Sequence, residues 1–332
     1  MATLAANVLT LADWAKRIDP DGKTPAIVEL LSQTNEILLD MLWKEGNLPT
    51  GERTTIRTGL PTVYWRTINQ GTQPSKSTTA QIDESCGMLE AWSEVDKDLA
   101  LLNGNVNSFR LSESQAFIEA MNQEASSSMF YGNASLDPEE FNGLAVRYSS
   151  LSANNGQNIV VGGGSQSDNM SVWLVVWGQQ TCFGVFPKGS KAGLDHEDLG
   201  LVTVETTAGV AGSRMRAYQD HFQWKMGIVL KDWRYVVRIA NIDKSNLVSE
   251  SSAADLTKLM IKAIHRIPNI GMGKPVFYMN RTCFEFLDIQ RLNNVRTGAM
   301  TYEEVDGKAI AKFRGIPIRI CDALTEAEAT VS

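Results

Sequence analysis

Residues 54–89 read TTIRTGLPTVYWRTINQGTQPSKSTTAQIDESCGML, and the reading of this stretch decides the fold. Thr54 to Arg57 and Ile82 to Leu89 read as two strands. Between them, Gly59 to Gln81 carries Pro61, Gly71, Pro74 and many Ser and Thr, so the pair forms a hairpin with a very long excursion. Ordering a backbone costs about 1–2 kcal/mol per residue, and structureless loops of this length are uncommon inside compact domains. Contacts from outside the subunit are therefore expected to hold the loop. Val63, Tyr64 and Trp65 sit within it, large residues that a solitary exposed hairpin has little reason to display. A protein surface is their expected destination.

Upstream, the stretch to Pro25 reads as an arm with one short helix, and its Trp14 needs an apolar partner. Ile27, Leu30, Leu31, Leu38, Met41 and Leu42 recur at helical spacing until Gly46, which predicts an amphipathic helix over 27–47. Downstream, Ser112 and Gln115 form a capping box, and Ala116, Phe117, Ala120, Met121, Ala125 and Met129 continue an apolar face towards Gly132. That pattern predicts a long helix.

Between Tyr148 and Pro187 the single charged residue is Asp168, so this segment reads as sheet core, with Gly162-Gly163-Gly164 as a mobile connection. Phe222 to Leu230 and Tyr235 to Ile239 alternate about Asp232 and read as two adjacent antiparallel strands. Ser252 and Asp255 open a helix whose stripe is Leu256, Leu259, Met260, Ala263, Ile264 and Ile267, closed by Pro268. Val276 to Met279 follows as a strand, Asn280 caps a helix through Leu292, and Ala309–Phe313 and Ile316–Cys321 are strands about Arg314-Gly315. Helices and strands mix without a βαβ rhythm and no repeat is present, so the class is α+β.

With 31 Lys plus Arg against 38 Asp plus Glu, the net charge is -7, the wrong sign for gripping phosphate backbones. The longest apolar run, Val172 to Trp177, is far short of the roughly 20 residues of a membrane helix. Cys86, Cys182, Cys283 and Cys321 are scattered without a CxxC pair and read as reduced, buried thiols.

Chemistry has few footholds. Ser213, Asp220 and His221 are the residues a serine-hydrolase reading would recruit, yet no GxSxG elbow presents the serine. His196, His221 and His265 show no metal-site spacing, and His265 suits the C-terminal dipole of its helix. Asp195-His196-Glu197-Asp198 reads as a solvated polar turn, because consecutive residues do not converge on one cation without a special loop. Trp173 and Trp177 share a face as core residues, not as a sugar-stacking platform. No catalytic, cofactor or metal site is expected.

Three stretches carry a resemblance: residues 35–40 (NEILLD), 57–66 (RTGLPTVYWR) and 69–71 (NQG). Residues 141–144 (FNGL), 276–281 (VFYMNR) and 313–319 (FRGIPIR) extend it over most of the chain. Together they resemble the major capsid proteins of short-tailed phages, and within that group those of Bordetella phages. The resemblance implies a Hong-Kong-97-like capsid fold with an N-terminal arm (1–26), the helix 27–47, an extended-loop hairpin (48–95), and peripheral and axial domains within 96–332. Residues 112–132 would be the spine helix of the peripheral domain.

It further implies an icosahedral virion shell of hexamers and pentamers, made in the bacterial host cytoplasm around double-stranded DNA without sequence-specific binding. A separate scaffolding protein, a portal and a cementing or decoration protein are the implied partners. Inter-subunit contacts are expected at Trp14, Pro61, Tyr64, Trp65, Arg66 and Pro74. Lys76 is the nearest candidate for the covalent linkage known among relatives, but no cross-link is expected. A nanocompartment shell around a cargo enzyme is the alternative within the same fold.

Overall fold

The computed structural model describes residues 32–102, 105–205, 214–249, 253–293, 300–305 and 308–332. The expected arm with Trp14, and Ser213 and Ser252, fall outside the described residues. The first half contains α1 (Ile37–Asp40), β1 (Trp43–Glu45), β2 (Gly51–Gly59), β3 (Thr78–Ser85), β4 (Gly87–Asp96), α2 (Lys97–Leu101), α3 (Val106–Tyr131) and α4 (Leu144–Arg147). Then come β5 (Ile159–Val161), β6 (Asn169–Trp177), β7 (Cys182–Phe186), β8 (Leu194–Glu205), β9 (Arg214–Leu230), β10 (Val236–Asp243) and α5 (Lys244–Val248). The chain continues with α6 (Leu256–Arg266), β11 (Lys274–Met279), α7 (Arg281–Asn293), β12 (Met300–Val305), β13 (Lys308–Phe313) and β14 (Ile316–Ile320).

β6 lies at the centre of a mixed sheet ordered β12-β13-β14-β11-β6-β7-β9-β4, with β10 also on β6, β5 on β10, β1 on β7 and β8 on β9. Its run of apolar residues lacks alternation because both faces are covered. Val172, Leu174 and Val176 pack with Leu259, Met260 and Ala263 of α6 on one side. Trp173, Val175 and Trp177 pack with Met129, Phe130 and Tyr148 on the other. Each such fully buried side chain contributes about 1.5–3 kcal/mol.

The α6 stripe is buried as its spacing predicts, and the Asp255 carboxylate caps it by accepting from the Lys258 N–H at 3.0 Å. Asn280 does the same for α7 at the Cys283 N–H, 2.8 Å away. The β13–β14 hairpin turns at Arg314 and Gly315, with φ of 51° and 82°, the two left-handed residues a tight hairpin turn needs.

Several expectations are corrected. Over its described part, 27–47 is not one helix: α1 spans four residues, Met41 is extended (ψ 137°), and β1 pairs in parallel with β7. Here the edge of β7 offers backbone partners that continued helix would forgo. The long helix starts at Val106, not after Ser112, because Asn105 caps it and Phe109 and Arg110 anchor the added turns on the β4–β9 sheet. β9 and β10 do not pair with each other; β9 ends on β7 while β10 pairs with β6 and β5. The Gly162–Gly164 run is tied down, with the N–H groups of Gly162 and Gly164 donating to Ala240 and Asn241 at 2.8 and 2.7 Å.

At its end the chain crosses back into the core. Glu328 is buried and accepts from Arg238 at 2.8 Å, from the Tyr131 hydroxyl at 2.5 Å and from Ser171. Arg238 also donates to the Tyr148 carbonyl (2.8 Å) and lies over the Trp173 ring (5.2 Å). Asn241, at a bulge with φ 57°, brackets Val331 through both its amide atoms at 2.9 and 2.8 Å.

Candidate assembly surface

β2 and β3 form a separate two-stranded sheet, paired from Gly51↔Ser85 to Gly59↔Thr78. Its exposed flanks are braced by Arg53, which clasps Asp83 through two hydrogen bonds of 2.6 Å and holds that carboxyl below its usual range. The root of the hairpin carries two carboxylates directly opposite each other, Glu52 and Glu84. Glu52 is buried and accepts from Lys44 (3.0 Å) and from the Asn47 N–H (2.9 Å). Glu84 accepts a two-pronged clasp from Arg147, one prong at 2.7 Å, and the same guanidinium reaches the Ile228 carbonyl at the end of β9. Separate cations thus neutralise the two acids and bolt the hairpin to the body.

From Leu60 to Ser77 the chain leaves strand geometry. The Ser75 hydroxyl donates across the loop to the Thr62 carbonyl at 2.7 Å, and Thr67 to Gln70 makes a tip turn with Asn69 at φ 66°. The apolar residues point outward: Trp65 is fully exposed, Leu60, Val63 and Ile68 are at least 80% exposed, and Tyr64 is 56% exposed. Pro61, Arg66 and Pro74 are exposed beside them. Five of the six contact residues read from the sequence therefore share one projecting loop, and the sixth, Trp14, lies outside the described residues.

The two described residues that a hydrolase reading would recruit do not converge. Asp220 and His221 are neighbours on β9, so their side chains take opposite faces. Asp220 points inward, accepting from Arg110 at 2.8 Å and lying 3.0 Å from His196; His221 stacks on Trp92 on the outer face. Asp195 to Asp198 are not a turn but part of β8, in register with β9, which likewise splits them between the two faces. Arg110 also holds Asp198 at 2.5 Å, and this hydrogen bond keeps the Asp198 carboxyl below its usual range. Sequence periodicity gave no signal for this clamp, because Arg110 and Asp220 are far apart in the chain.

Replacing Arg110 with alanine should cost about 2–3 kcal/mol at neutral pH by stranding the buried Asp220 carboxylate. Because the folded-state pKa of Asp198 is lowered, its share of the clamp is complete above the unfolded value of about 3.9 and disappears as pH falls through the lowered one. Urea unfolding should show the gap to the unsubstituted protein narrowing as pH falls below about 4, and a gap constant with pH would contradict this.

The cysteines offer no reactive thiol: burial pushes Cys182, Cys283 and Cys321 up to about 12 and half-buried Cys86 up to about 11.

The sequence model of the family described as major capsid protein GP7 matches residues 19–332. No curated protein matches the chain. Among solved structures, a chain of bacteriophage Epsilon15 is 33% identical with a TM-score of 0.79, over 100% of this chain and 99% of that one. The capsid of bacteriophage JBD30 is 9% identical, with a TM-score of 0.45 over 90% and 93% of the two chains. The SrpI encapsulin complex of Synechococcus elongatus is 12% identical, with a TM-score of 0.40 over 71% and 97%.

Proposed function

The chain belongs to the family of major capsid proteins described as GP7, and from that premise we propose that its copies hold together by burying the Leu60–Ser77 loop on one another. The protein is a structural component of the icosahedral phage head, with the Hong-Kong-97-like fold, and self-assembly is its activity. The observation that carries the loop reading is Trp65, fully exposed beside four other exposed apolar side chains on a projecting hairpin. Burying one tryptophan, about 150–250 Å², is worth about 4–6 kcal/mol before ordering costs. Repeated at every copy around a shell, modest single contacts add up to a stable container whose errors can still anneal.

Within this reading, residues 1–26 are an arm that reaches a neighbour through Trp14, and α3 is the spine of a peripheral domain within 96–332; of the expected hairpin 48–95, only β2, β3 and the loop between them form the extended loop, because Gly87–Asp96 pairs with β9 in the body. Hexamers and pentamers tile the head of a short-tailed phage akin to those of Bordetella, assembled in the host cytoplasm. The shell encloses double-stranded DNA without reading its sequence, which suits a net charge of -7. A separate scaffolding protein, a portal and a cementing or decoration protein complete the particle, and Lys76 forms no cross-link.

Deletion of residues 62–79 tests the central claim. Electron microscopy of the purified variant should show no closed shells while its circular dichroism remains that of a folded body. Shells of ordinary size and number from this variant would overturn it.

A further inference from the structure

The inner face of the β4–β9–β8 sheet, with Val95 and Phe222, is covered by Phe109 and Phe117 of α3, and beside them sheet and helix meet at one oxygen atom. Asp220 on β9 is buried, and its Oδ1 accepts from Nη2 of Arg110 at 2.8 Å while lying 3.0 Å from Nε2 of His196 on β8. Asp198, two residues along β8 and so on the same face as His196, accepts from the same nitrogen of Arg110 at 2.5 Å. One cation thus serves two carboxylates, and while His196 is neutral one negative charge is left over.

His196 is placed to supply the missing cation. Its ring lies flat on Phe222, with centroids 4.8 Å and planes 17° apart, and its side chain is half open to solvent protons. The charged groups of the surrounding elements are few: Asp198 on its own strand, Asp220 on β9, and Arg110 and Glu113 on α3, with Tyr218 the titratable side chain against Arg110. β4 contributes Ala91 and Ser93, which carry no charge.

The anchorage that Arg110 supports is small. Val106 and Phe109 pack with Val95, Ala100 and Tyr218 in a cluster apart from the cores on β6. The buried Nε–H of Arg110 has no hydrogen-bond partner among the described residues, and an unpaired buried donor weakens the closed arrangement.

We infer that these residues form a proton-operated latch: when His196 takes up a proton, its imidazolium replaces Arg110 as the partner of Asp220, and residues 106–111 of α3 come off the sheet. The sign follows from the charges. With Arg110 engaged, an imidazolium sharing Asp220 Oδ1 stands against a like charge; with Arg110 gone, it faces two carboxylates and no cation. The proton is therefore held more firmly in the open arrangement, and acid favours opening. Above the range in which histidine titrates, opening leaves the buried Asp220 without any cation, so the latch stays shut. The device belongs to the single subunit and stands apart from the shell reading.

The test is hydrogen exchange of the full chain, read by mass spectrometry on peptides covering 106–111 at about pH 7.5 and about pH 5.5, either side of the histidine range. After correction for the intrinsic pH dependence of exchange, protection of this segment should fall roughly tenfold in acid, the effect of two like charges sharing one oxygen, while that of α6 is unchanged. His196→Gln, which keeps a neutral polar group there, should abolish the fall. His221→Gln and His265→Gln, at the other two histidines of the chain, should leave it intact. Urea unfolding gives a second readout. The gap between Arg110→Ala and the unsubstituted protein should narrow from about pH 7.5 to about pH 5.5, above the step near pH 4 that Asp198 brings, and in the His196→Gln background only the lower step should remain. Protection of 106–111 that is constant or higher in acid, or that falls equally in His196→Gln, would overturn the latch.

Discussion

Replacing Arg238 with methionine is expected to destabilise the body by about 3–5 kcal/mol, the cost of leaving a buried charge without its partner. Arg238 and Glu328 are 6% and 5% exposed at their side chains, and water cannot take over the role of either. The guanidinium does more than pair: it donates to Ser171 on β6 at 3.1 Å and to the Tyr148 carbonyl, while Glu328 also accepts from Tyr131 at the end of α3. One residue of the tail therefore joins β6, β10 and α3, and losing its cation should loosen all three. Urea unfolding of the variant reads the loss directly. The double variant Arg238→Met, Glu328→Gln should recover part of it, since no uncompensated charge is then buried. Wild-type stability in the single variant would mean that the pair does not hold the tail.

The second large effect is expected at the root of the hairpin. Gly51 has φ +152°, and a Cβ there would stand 1.9 Å from the Glu84 carbonyl oxygen, with no flexible side chain to yield. Gly51→Ala should cost about 2–5 kcal/mol from backbone strain and overpacking together. Glu84 is the residue that Arg147 grips, so the displacement should disturb the aim of the whole loop and lower shell yield even where the body stays folded. Gly71→Ala is the control within the same hairpin: no atom stands within 4 Å of its Cβ, and stability should stay within about 0.5 kcal/mol. Equal shell yields from the two variants would count against the root as the device that aims the loop.

Much of the architecture was readable from local pattern. The α6 stripe, the Asn280 cap and the Arg314-Gly315 turn all follow from residue types at short spacing, and the structure contains each; the hairpin with its long excursion is present too, but its second strand is Thr78–Ser85, and Gly87–Leu89, expected to continue it, belong to β4 on β9. The charge-poor run that includes β6 read as sheet core, and Trp173 and Leu174 in separate core clusters show that both its faces are covered. Where local pattern misled, a long-range partner was responsible. Leu38, Met41 and Leu42 fit a helical stripe, yet the open edge of β7 draws Trp43–Glu45 into the sheet. Ser112 and Gln115 fit a capping box, yet the anchoring of Arg110 on Asp198 and Asp220 carries the helix past it. The acidic run at 195–198 looked like a turn because nothing nearby in sequence reveals that β9 is there to pair with it.

The sequence by itself determined that a charged-poor core would form, that a greasy loop would project from it, and, through its family motifs, that copies of the chain build a phage head. Tertiary structure alone decided which strands pair, that Asp220 and His221 face apart, that Glu328 finds Arg238 some 90 residues away, and that Trp92 is left half exposed on the outer face. The reason is physical. Periodicity records which side of an element is apolar, a property of neighbours along the chain, whereas a partner across the fold is chosen by geometry that no local spacing encodes.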